Sequence, residues 1–310
     1  MKTVLRYIFT PAAKFVDGLL AHFPVATKAG NFLADPSPAP LISTSVPPTL
    51  SNPGWQLVTS DQYAEDRHIA WCKALRIEPR CYRKQWEWVY ILEVLSQQGM
   101  LQPGKRGLGF GCGLEPLPSI MAAHGCSIVA TDLAQEDAAK AGWSVSGQFT
   151  RHLQDLNKDG LCDPKAFADR VNFRRCDMNA ITDDLQGFDF LWSSCALEHL
   201  GGLEAGMRFI ETAMKCLRPG GIAVHTTEFN LGSNDKTVDR PSVSIYRKRD
   251  IESLALRLTR KGHHVGTINF TPGTGPKDLH IDLPPYIGST HLRLLLKRHL
   301  STSIGIYVKA

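Results

Sequence analysis

The 310-residue chain is 43% apolar and 21% charged, a composition typical of a globular protein with one large domain plus an appendage, or with two small domains. Its formal net charge of +5 is spread over interleaved acids and bases, which argues against a nucleic-acid partner. The eight cysteines form no CxxC pair and no apolar stretch approaches the ~20 residues of a membrane span, so we expect a cytoplasmic protein without a disulfide framework.

Residues 1–54 are predicted to form an N-terminal helical appendage. Apolar side chains recur at helical spacing over residues 1–30, and a proline- and serine-rich strap follows over 35–54. We expect this amphipathic segment to pack on the main domain. Because basic residues accompany the apolar stripe, contact with a membrane surface or a protein partner is the alternative.

Residues 55–100 are predicted to form a helical cap region rich in tryptophan and other large apolar residues. Within this region, residues 83–87 combine charged side chains with Trp86. We interpret this run as a helix with one wet and one buried face, and the alternative is a helix that covers a binding cleft.

From residue 101 onward, short apolar runs alternate with helical patterns, which indicates a doubly wound α/β domain with a mostly parallel sheet. Helices are predicted over 117–124, 203–217 and 249–262, and a largely helical insertion over 134–170. The predicted strands cover residues 107–110, 127–130, 171–174, 188–192, 222–225, 265–270 and 303–308.

A glycine-rich turn between the first predicted strand and its helix is the central signal for function. Gly109, Gly111 and Gly113 allow a sharp turn and bring a ligand against main-chain atoms. Asp132 ends the next strand, twenty-one residues after Gly111, where a carboxylate can accept hydrogen bonds from both ribose hydroxyls of a nucleoside cofactor.

The glycine spacing separates two classes of nucleoside-binding proteins. The dinucleotide pattern G-x-G-x-x-G has no complete match, because its last position falls on Cys112, Leu114 or Pro116. A pyrophosphate needs that third glycine, whereas a methionine-type cofactor has no phosphate to bind. The spacing therefore favours S-adenosylmethionine over NAD.

The chain resembles the class I methyltransferases, which use S-adenosylmethionine, in five motifs that occur in the family's order. These are FGCGLEPLP at 110–118, ATDL at 130–133, CDMN at 176–179, FLWSSCALEHL at 190–200 and LRPGG at 217–221. The resemblance covers residues 101–310 and implies a seven-stranded sheet whose last strand is antiparallel.

The resemblance also implies a role for each matching cofactor residue. The methionine portion would be lined by Gly109, Phe110, Gly111 and Gly113, the ribose held by Asp132, the adenine contacted by Leu133, Asp177 and Met178, and the sulfonium flanked by Ser194.

The sequence departs from the family pattern at two positions. Gly109 stands where an acid is usual, and Glu115 stands where the third glycine is usual. Glu115 is predicted either to replace the missing acid beside the methionine amino group or only to favour the helix N-terminus.

Candidates for catalysis follow the fourth predicted strand or close the fifth, and the carboxyl ends of both strands should face the cleft. His199 is the first candidate for the general base, followed by His225 and then His280, and Glu198 joins the candidate group. The pair Glu198-His199 resembles the metal-binding Glu-x-x-Glu-His of ubiquinone-pathway O-methyltransferases. Because Cys195 replaces the first glutamate, we predict no metal site.

The acceptor is expected to bind between two polar segments, residues 228–247 and 271–302. The candidate contacts are Glu228, Tyr246, His280 and Asp282. Their polarity favours a hydroxyl-rich small molecule or glycan, similar to the acceptors of bacterial glycan methyltransferases. Two alternatives remain: an N- or aromatic O-acceptor, and a non-catalytic domain that binds S-adenosylmethionine and serves as a partner platform.

Overall fold

The computed structural model describes residues 41–133 and 153–310. The helix predicted over 1–30, with its expected partner or membrane contact, most of the strap and residues 134–152 of the insertion lie outside these ranges. The helices of the described residues are α1 Asp66–Ala74, α2 Arg83–Gln97, α3 Leu117–Ala123, α4 Pro164–Arg170, α5 Leu203–Ala213, α6 Lys248–Arg260 and α7 Pro276–Leu279. The strands are β1 Ser43–Thr44, β2 Trp55–Leu57, β3 Arg106–Phe110, β4 Ser127–Asp132, β5 Val171–Arg175, β6 Phe188–Ser194, β7 Leu217–Asn230, β8 Asp239–Arg240, β9 Val243–Ser244, β10 His264–Val265, β11 Ile268–Asn269, β12 Ile281–Asp282, β13 Arg293–Leu296 and β14 His299–Lys309.

One large sheet organises the described residues, with strand order β1-β11-β2-β14-β7-β6-β3-β4-β5. Strands β7, β6, β3, β4 and β5 pair in parallel, and β14 runs antiparallel to β7. Every residue of β6 is buried, as expected for a parallel strand with helices on both faces. The predicted doubly wound, mostly parallel α/β fold is confirmed.

The edge of the sheet beyond β14 differs from the prediction. Within the described ranges this sheet has twelve strands instead of seven. The strand predicted over 265–270 is divided into β10, which pairs with the end of β14, and β11, which pairs in parallel with β2. Strand β2 comes from the segment predicted as a helical cap and lies between β14 and β11. All three residues of β2 are buried, so the strand lacks the alternation of apolar and polar side chains by which a strand is predicted from sequence.

Helices cover both faces of the sheet, and the sheet separates the hydrophobic core into two main clusters. Helix α2 packs on β6, β7 and β14, and nearly all of its residues from Gln85 to Leu95 are buried. On the opposite face, α5 and α6 pack over β3, β6 and β7 through residues such as Phe209 and Leu254. The start of α2 therefore lies close to the carboxyl ends of the central strands.

No helix in the described part of the chain combines the length and the apolar character that a bilayer crossing requires.

Candidate active site

A cleft of about 370 Å³ opens at the carboxyl ends of β3, β4 and β6. Its floor is the turn after β3, and its walls come from the segments after β4, β5 and β6. The start of α2 contributes Tyr82, Lys84 and Trp88 to the opposite wall. A doubly wound sheet binds its ligand at this edge, so the cleft lies where the sequence predicted it.

The turn after β3 has the backbone conformation that a close ligand approach requires. Gly111 and Gly113 have φ angles of 61° and 51°. A Cβ atom on Gly111 would lie 2.9 Å from the Cβ of Ala196, so a side chain here would both strain the turn and fill the cleft.

Asp132 lies at the end of β4 and lines the cleft. One carboxylate oxygen accepts a hydrogen bond from the N–H of Leu133 at 2.9 Å, and the other accepts one from the N–H of Gly113 at 3.1 Å. Burial raises the pKa of Asp132, and the two N–H groups oppose that rise. The carboxylate is thereby oriented at the position predicted to hold the ribose.

The acid that the family usually carries at the end of the first strand has no room here. A Cβ atom on Gly109 would lie 2.4 Å from both the Sγ of Cys112 and the Cζ2 of Trp192. Glu115 supplies a carboxylate in the cleft instead, with Oε1 2.9 Å from the Nζ of Lys84. Its Oε2 is buried and has no hydrogen-bond partner within residues 41–133 and 153–310.

The Lys84–Glu115 pair fits the two charged groups of a methionine portion. Burial raises the pKa of Glu115, and the Lys84 ammonium only partly offsets this. Burial alone would lower the pKa of Lys84, but the carboxylates of Glu115 and Glu87 outweigh it and raise that pKa. Lys84 also donates to the Oγ of Ser194 at 2.8 Å, and about a third of its side chain is exposed. Lys84 was missed from the sequence, where the only signal was the charged run at 83–87.

Only some of the residues predicted to contact the adenine and the methionine portion line the cleft. Leu133, Met178 and Ser194 line the cleft. The side chain of Phe110 packs in the core, edge-on to Phe209 at 5.2 Å. Asp177 is absent from the cleft lining, and its carboxylate accepts a hydrogen bond from the N–H of Asn179 at 2.8 Å.

The three candidate histidines lie in different surroundings. His199 lines the cleft, and its Nδ1 donates to the carbonyl of Ser242 at 2.7 Å, which leaves Nε2 as the basic nitrogen. Burial lowers the pKa of His199, so its imidazole is neutral near pH 7. His280 is exposed and does not line the cleft.

His225 is a core residue. It is fully buried, lies 5.7 Å from the Phe209 ring and has its Nδ1 2.8 Å from the Oγ of Ser193. Burial lowers the pKa of His225 to about 3. Because β7 directs this side chain towards α5, it does not join the cleft, and the prediction of a catalytic role is not supported.

Two predicted acids lie buried beside the cleft without lining it. Glu198 accepts a hydrogen bond from the Oγ1 of Thr227 at 3.0 Å, and burial together with repulsion from Glu228 raises the pKa of Glu198 to about 8. Glu228 is held by Arg83 and by the hydroxyl of Ser301. Burial alone would raise the pKa of Glu228, but the Arg83 guanidinium outweighs it and lowers that pKa.

The remaining acceptor candidates are also engaged by the protein itself. Tyr246 is buried and donates from its hydroxyl to the carbonyl of Leu203 at 3.3 Å. Asp282 is buried and bonded to the Nδ1 of His291 at 2.6 Å. The His291 ring stacks on Tyr82, which does line the cleft. The sequence had not singled out Tyr82.

Comparisons with known proteins agree with this arrangement. A family model described as a methyltransferase domain matches residues 82–271. No match was found among curated proteins.

The chain is also similar in structure to solved methyltransferases. One is an S-adenosylmethionine-dependent methyltransferase from Mesorhizobium loti, with 15% sequence identity and a TM-score of 0.42. The match covers 70% of this chain and 96% of that chain. Another is the glycopeptide N-methyltransferase MtfA, with 15% sequence identity and a TM-score of 0.41. The match covers 70% of this chain and 92% of that chain. A third is phosphoethanolamine N-methyltransferase 2 from Haemonchus contortus, with 18% sequence identity and a TM-score of 0.38. The match covers 54% of this chain and 36% of that chain.

The sheet and its cleft define an α/β enzyme of the nucleoside-binding class. The matched segment spans more than half of the chain, and the chain belongs to the methyltransferase domain family. It is a methyltransferase that uses S-adenosylmethionine, as the glycine turn predicted.

Proposed function

We propose that this enzyme transfers the methyl group of S-adenosylmethionine to a hydroxyl of a carbohydrate or a glycosylated small molecule. The observation that carries the proposal is the neutral imidazole of His199 in the same cleft as Ser194 and the glycine turn. Methylation of a hydroxyl requires a group that accepts its proton, and a neutral histidine suits that task near pH 7.

The cofactor is proposed to lie along the floor of the cleft. Asp132 would accept hydrogen bonds from the ribose, and Leu133 and Met178 would contact the adenine. Glu115 would bind the methionine amino group through its buried Oε2, and Lys84 would bind the methionine carboxylate. The amino and carboxylate groups of the methionine portion would then each face a side chain of opposite charge inside a partly buried site.

The bound cofactor supplies an electrophilic methyl group on a sulfonium. The Nε2 of His199 accepts the proton of the attacking hydroxyl, and the hydrogen bond from its Nδ1 to Ser242 keeps the ring in the required tautomer. Lys84 fixes Ser194 at the end of β6. Because methyl transfer needs the nucleophile in line with the leaving sulfur, the walls of the cleft contribute by orienting the acceptor.

The side chains near His199 favour an acceptor that carries several hydroxyls. Lys84 and Ser194 line the same cleft as His199, whereas the buried ion pair Arg83–Glu228, on α2 and β7, does not. Polar groups that converge on one part of a cleft fix the orientation of a polar ligand.

The direct test uses S-adenosylmethionine labelled in its methyl group, incubated with the protein and with glycan and metabolite extracts of the source organism. We expect label in a methyl ether on a saturated, hydroxylated ring, identified by mass spectrometry and NMR. The Asp132→Ala variant, which should lose cofactor affinity, serves as the control for enzyme-dependent labelling. Label on nitrogen or on a phenolic oxygen would replace this function with one of the two other acceptor classes.

A further inference from the structure

Three rings pack against one another beside the start of α2, and one of them, that of Tyr82, lines the cleft. The rings of Tyr82 and His291 are stacked, with centroids 4.8 Å apart and an interplanar angle of 22°. Tyr286 meets His291 edge-on, at 6.0 Å and 81°. His291 is in turn bonded to the buried carboxylate of Asp282 at 2.6 Å. Asp282 was predicted to contact substrate, yet Tyr82 is the member of this group that lines the cleft.

Hydrogen bonds also hold the backbone on both sides of Tyr82. The N–H of Arg83 donates to the carbonyl of His291 at 3.0 Å, and the N–H of His291 donates to the carbonyl of Cys81 at 2.9 Å. The hydroxyl of Tyr286 donates to the carbonyl of Leu295 at 3.0 Å. The ring of Tyr82 is therefore supported by His291, and 46% of the residue remains exposed.

We propose that Tyr82 is the platform on which the ring of a pyranose acceptor stacks, and that Asp282 and His291 are positioning residues that hold it. This inference rests on the proposed methylation of a carbohydrate hydroxyl. A pyranose carries C–H groups on its faces and hydroxyls on its rim. The C–H face would pack against the Tyr82 ring, and the hydroxyls would meet His199, which lines the same cleft.

The platform also explains why a histidine–carboxylate pair lies outside the cleft. Asp282 and His291 are only 4% and 9% exposed, so they do not offer a surface of their own to the acceptor. A carboxylate that accepts from Nδ1 fixes the orientation of an imidazole ring. Here the imidazole so fixed is the one that supports Tyr82.

Binding of a pyranose can be measured without turnover. The probe is methyl β-D-glucopyranoside, added to protein saturated with S-adenosylhomocysteine, and the readout is saturation-transfer NMR of its ring protons. Sorbitol, which has hydroxyls but no ring, and phenol, which has a planar ring, are the comparison probes. We expect saturation of the pyranoside protons with wild type and with Tyr82→Phe, a strong loss with Tyr82→Leu, and little saturation of sorbitol.

Two results would overturn the platform: equal pyranoside saturation in wild type and Tyr82→Leu, or saturation of phenol alone. Calorimetric titration with S-adenosylhomocysteine shows that each variant is folded and keeps its cofactor site. Because the NMR signal does not depend on methyl transfer, a pyranoside that binds through Tyr82 but is not methylated would contradict the proposed function and leave the platform standing.

The positioning role has its own pair of variants. Asp282→Asn keeps a hydrogen-bonding group beside His291, and Asp282→Ala removes it. We expect Asp282→Ala to weaken pyranoside binding about as much as Tyr82→Leu does, and Asp282→Asn to restore most of it, with cofactor affinity unchanged in both. Pyranoside binding that is the same in Asp282→Ala and wild type would show that the pair does not position Tyr82.

Discussion

His199 follows strand β6 and His225 lies within the neighbouring strand β7, and the two imidazoles have different surroundings. His199 reaches the cleft beyond the end of β6, whereas His225 points from β7 into the core beneath α5. Burial lowers the pKa of both residues, to about 3 for His225. Only the residue that reaches the cleft can exchange a proton with an acceptor there.

We therefore expect His199→Ala to lower kcat by ~10²–10⁴-fold, the usual contribution of a general base, with cofactor affinity almost unchanged. In wild type the rate should fall as the pH drops below the lowered pKa of His199, because an imidazolium cannot accept the hydroxyl proton. Steady-state kinetics over a pH series, on the acceptor found by labelling, measures both effects. The control is His280→Ala, at an exposed position outside the cleft. A rate unchanged in His199→Ala would mean that the proton leaves to water.

Asp132 gives a second prediction at this scale. Its carboxylate is held by two N–H groups and lines the cleft, so it is ready to accept the ribose hydroxyls. Asp132→Ala should weaken binding of S-adenosylhomocysteine by about 1.5–3 kcal/mol for each charge-assisted hydrogen bond lost. Isothermal titration calorimetry measures this change, Asp132→Asn is the isosteric control, and NAD should give no binding heat with wild type. An unchanged affinity in Asp132→Ala would contradict the ribose assignment.

Glu198 links the site to the pH dependence of stability. Its pKa is about 8 in the folded protein against an ordinary value of 4.5. Between these values the unfolded state is ionised while the native state holds its proton, so this residue makes the fold less stable as pH rises through the window.

Glu198→Gln should remove that effect. The stability of the variant relative to wild type is expected to increase with pH between about 5 and 8, by up to about 1.4 kcal/mol per pH unit. Urea denaturation at several pH values measures it, and Glu78→Gln, at an exposed position, controls for loss of a surface charge. A difference that is constant with pH would show that Glu198 is ionised in the native state.

At the scale of secondary-structure elements, the short strand β2 ties residues before the first predicted strand to the far edge of the sheet. Trp55 is fully buried, and its indole N–H donates to the carbonyl of Tyr307 in β14. Leu57 and Gln56 pair with β14 on the same side. Strand β2 should therefore unfold together with the sheet.

Trp55→Ala is expected to lower the free energy of unfolding by about 3–5 kcal/mol, the usual cost of removing a large buried aromatic side chain. Urea denaturation followed by circular dichroism should still show a single transition. Ile42→Ala, at a position that is 65% exposed, should change stability by less than about 0.5 kcal/mol. A separate early transition in Trp55→Ala would show that β2 is not part of the same cooperative unit.

At the scale of the whole molecule, the remaining prediction concerns metal dependence. No group of three or more histidine, cysteine or acidic side chains is arranged to hold a metal ion in residues 41–133 and 153–310. Cys195 stands at the position of the first glutamate in the Glu-x-x-Glu-His pattern, and Glu198 accepts a hydrogen bond from Thr227. We expect turnover to survive excess chelator, measured as label transfer before and after treatment. Activity that is abolished by chelator and restored by magnesium would refute this prediction.

The sequence by itself determined the elements whose signals are local. The glycine turn after β3, Asp132 at the end of β4 and the fully buried strand β6 are each visible in a short window of residues. Apolar runs that alternate with helical periods are sufficient to predict a doubly wound α/β sheet. From that sheet and the glycine spacing, both the cofactor class and the edge of the sheet that binds it could be predicted.

Only the tertiary structure decided which side chains meet in the cleft. Lys84 pairs with Glu115, and Tyr82 stacks on His291, across segments far apart in the chain, and no local pattern encodes such contacts. The burial of His225 depends on α5 packing over β7, and the place of β2 depends on an open edge of β14. Periodicity predicts which face of an element is buried, but packing between distant elements decides which charged and aromatic groups meet a ligand.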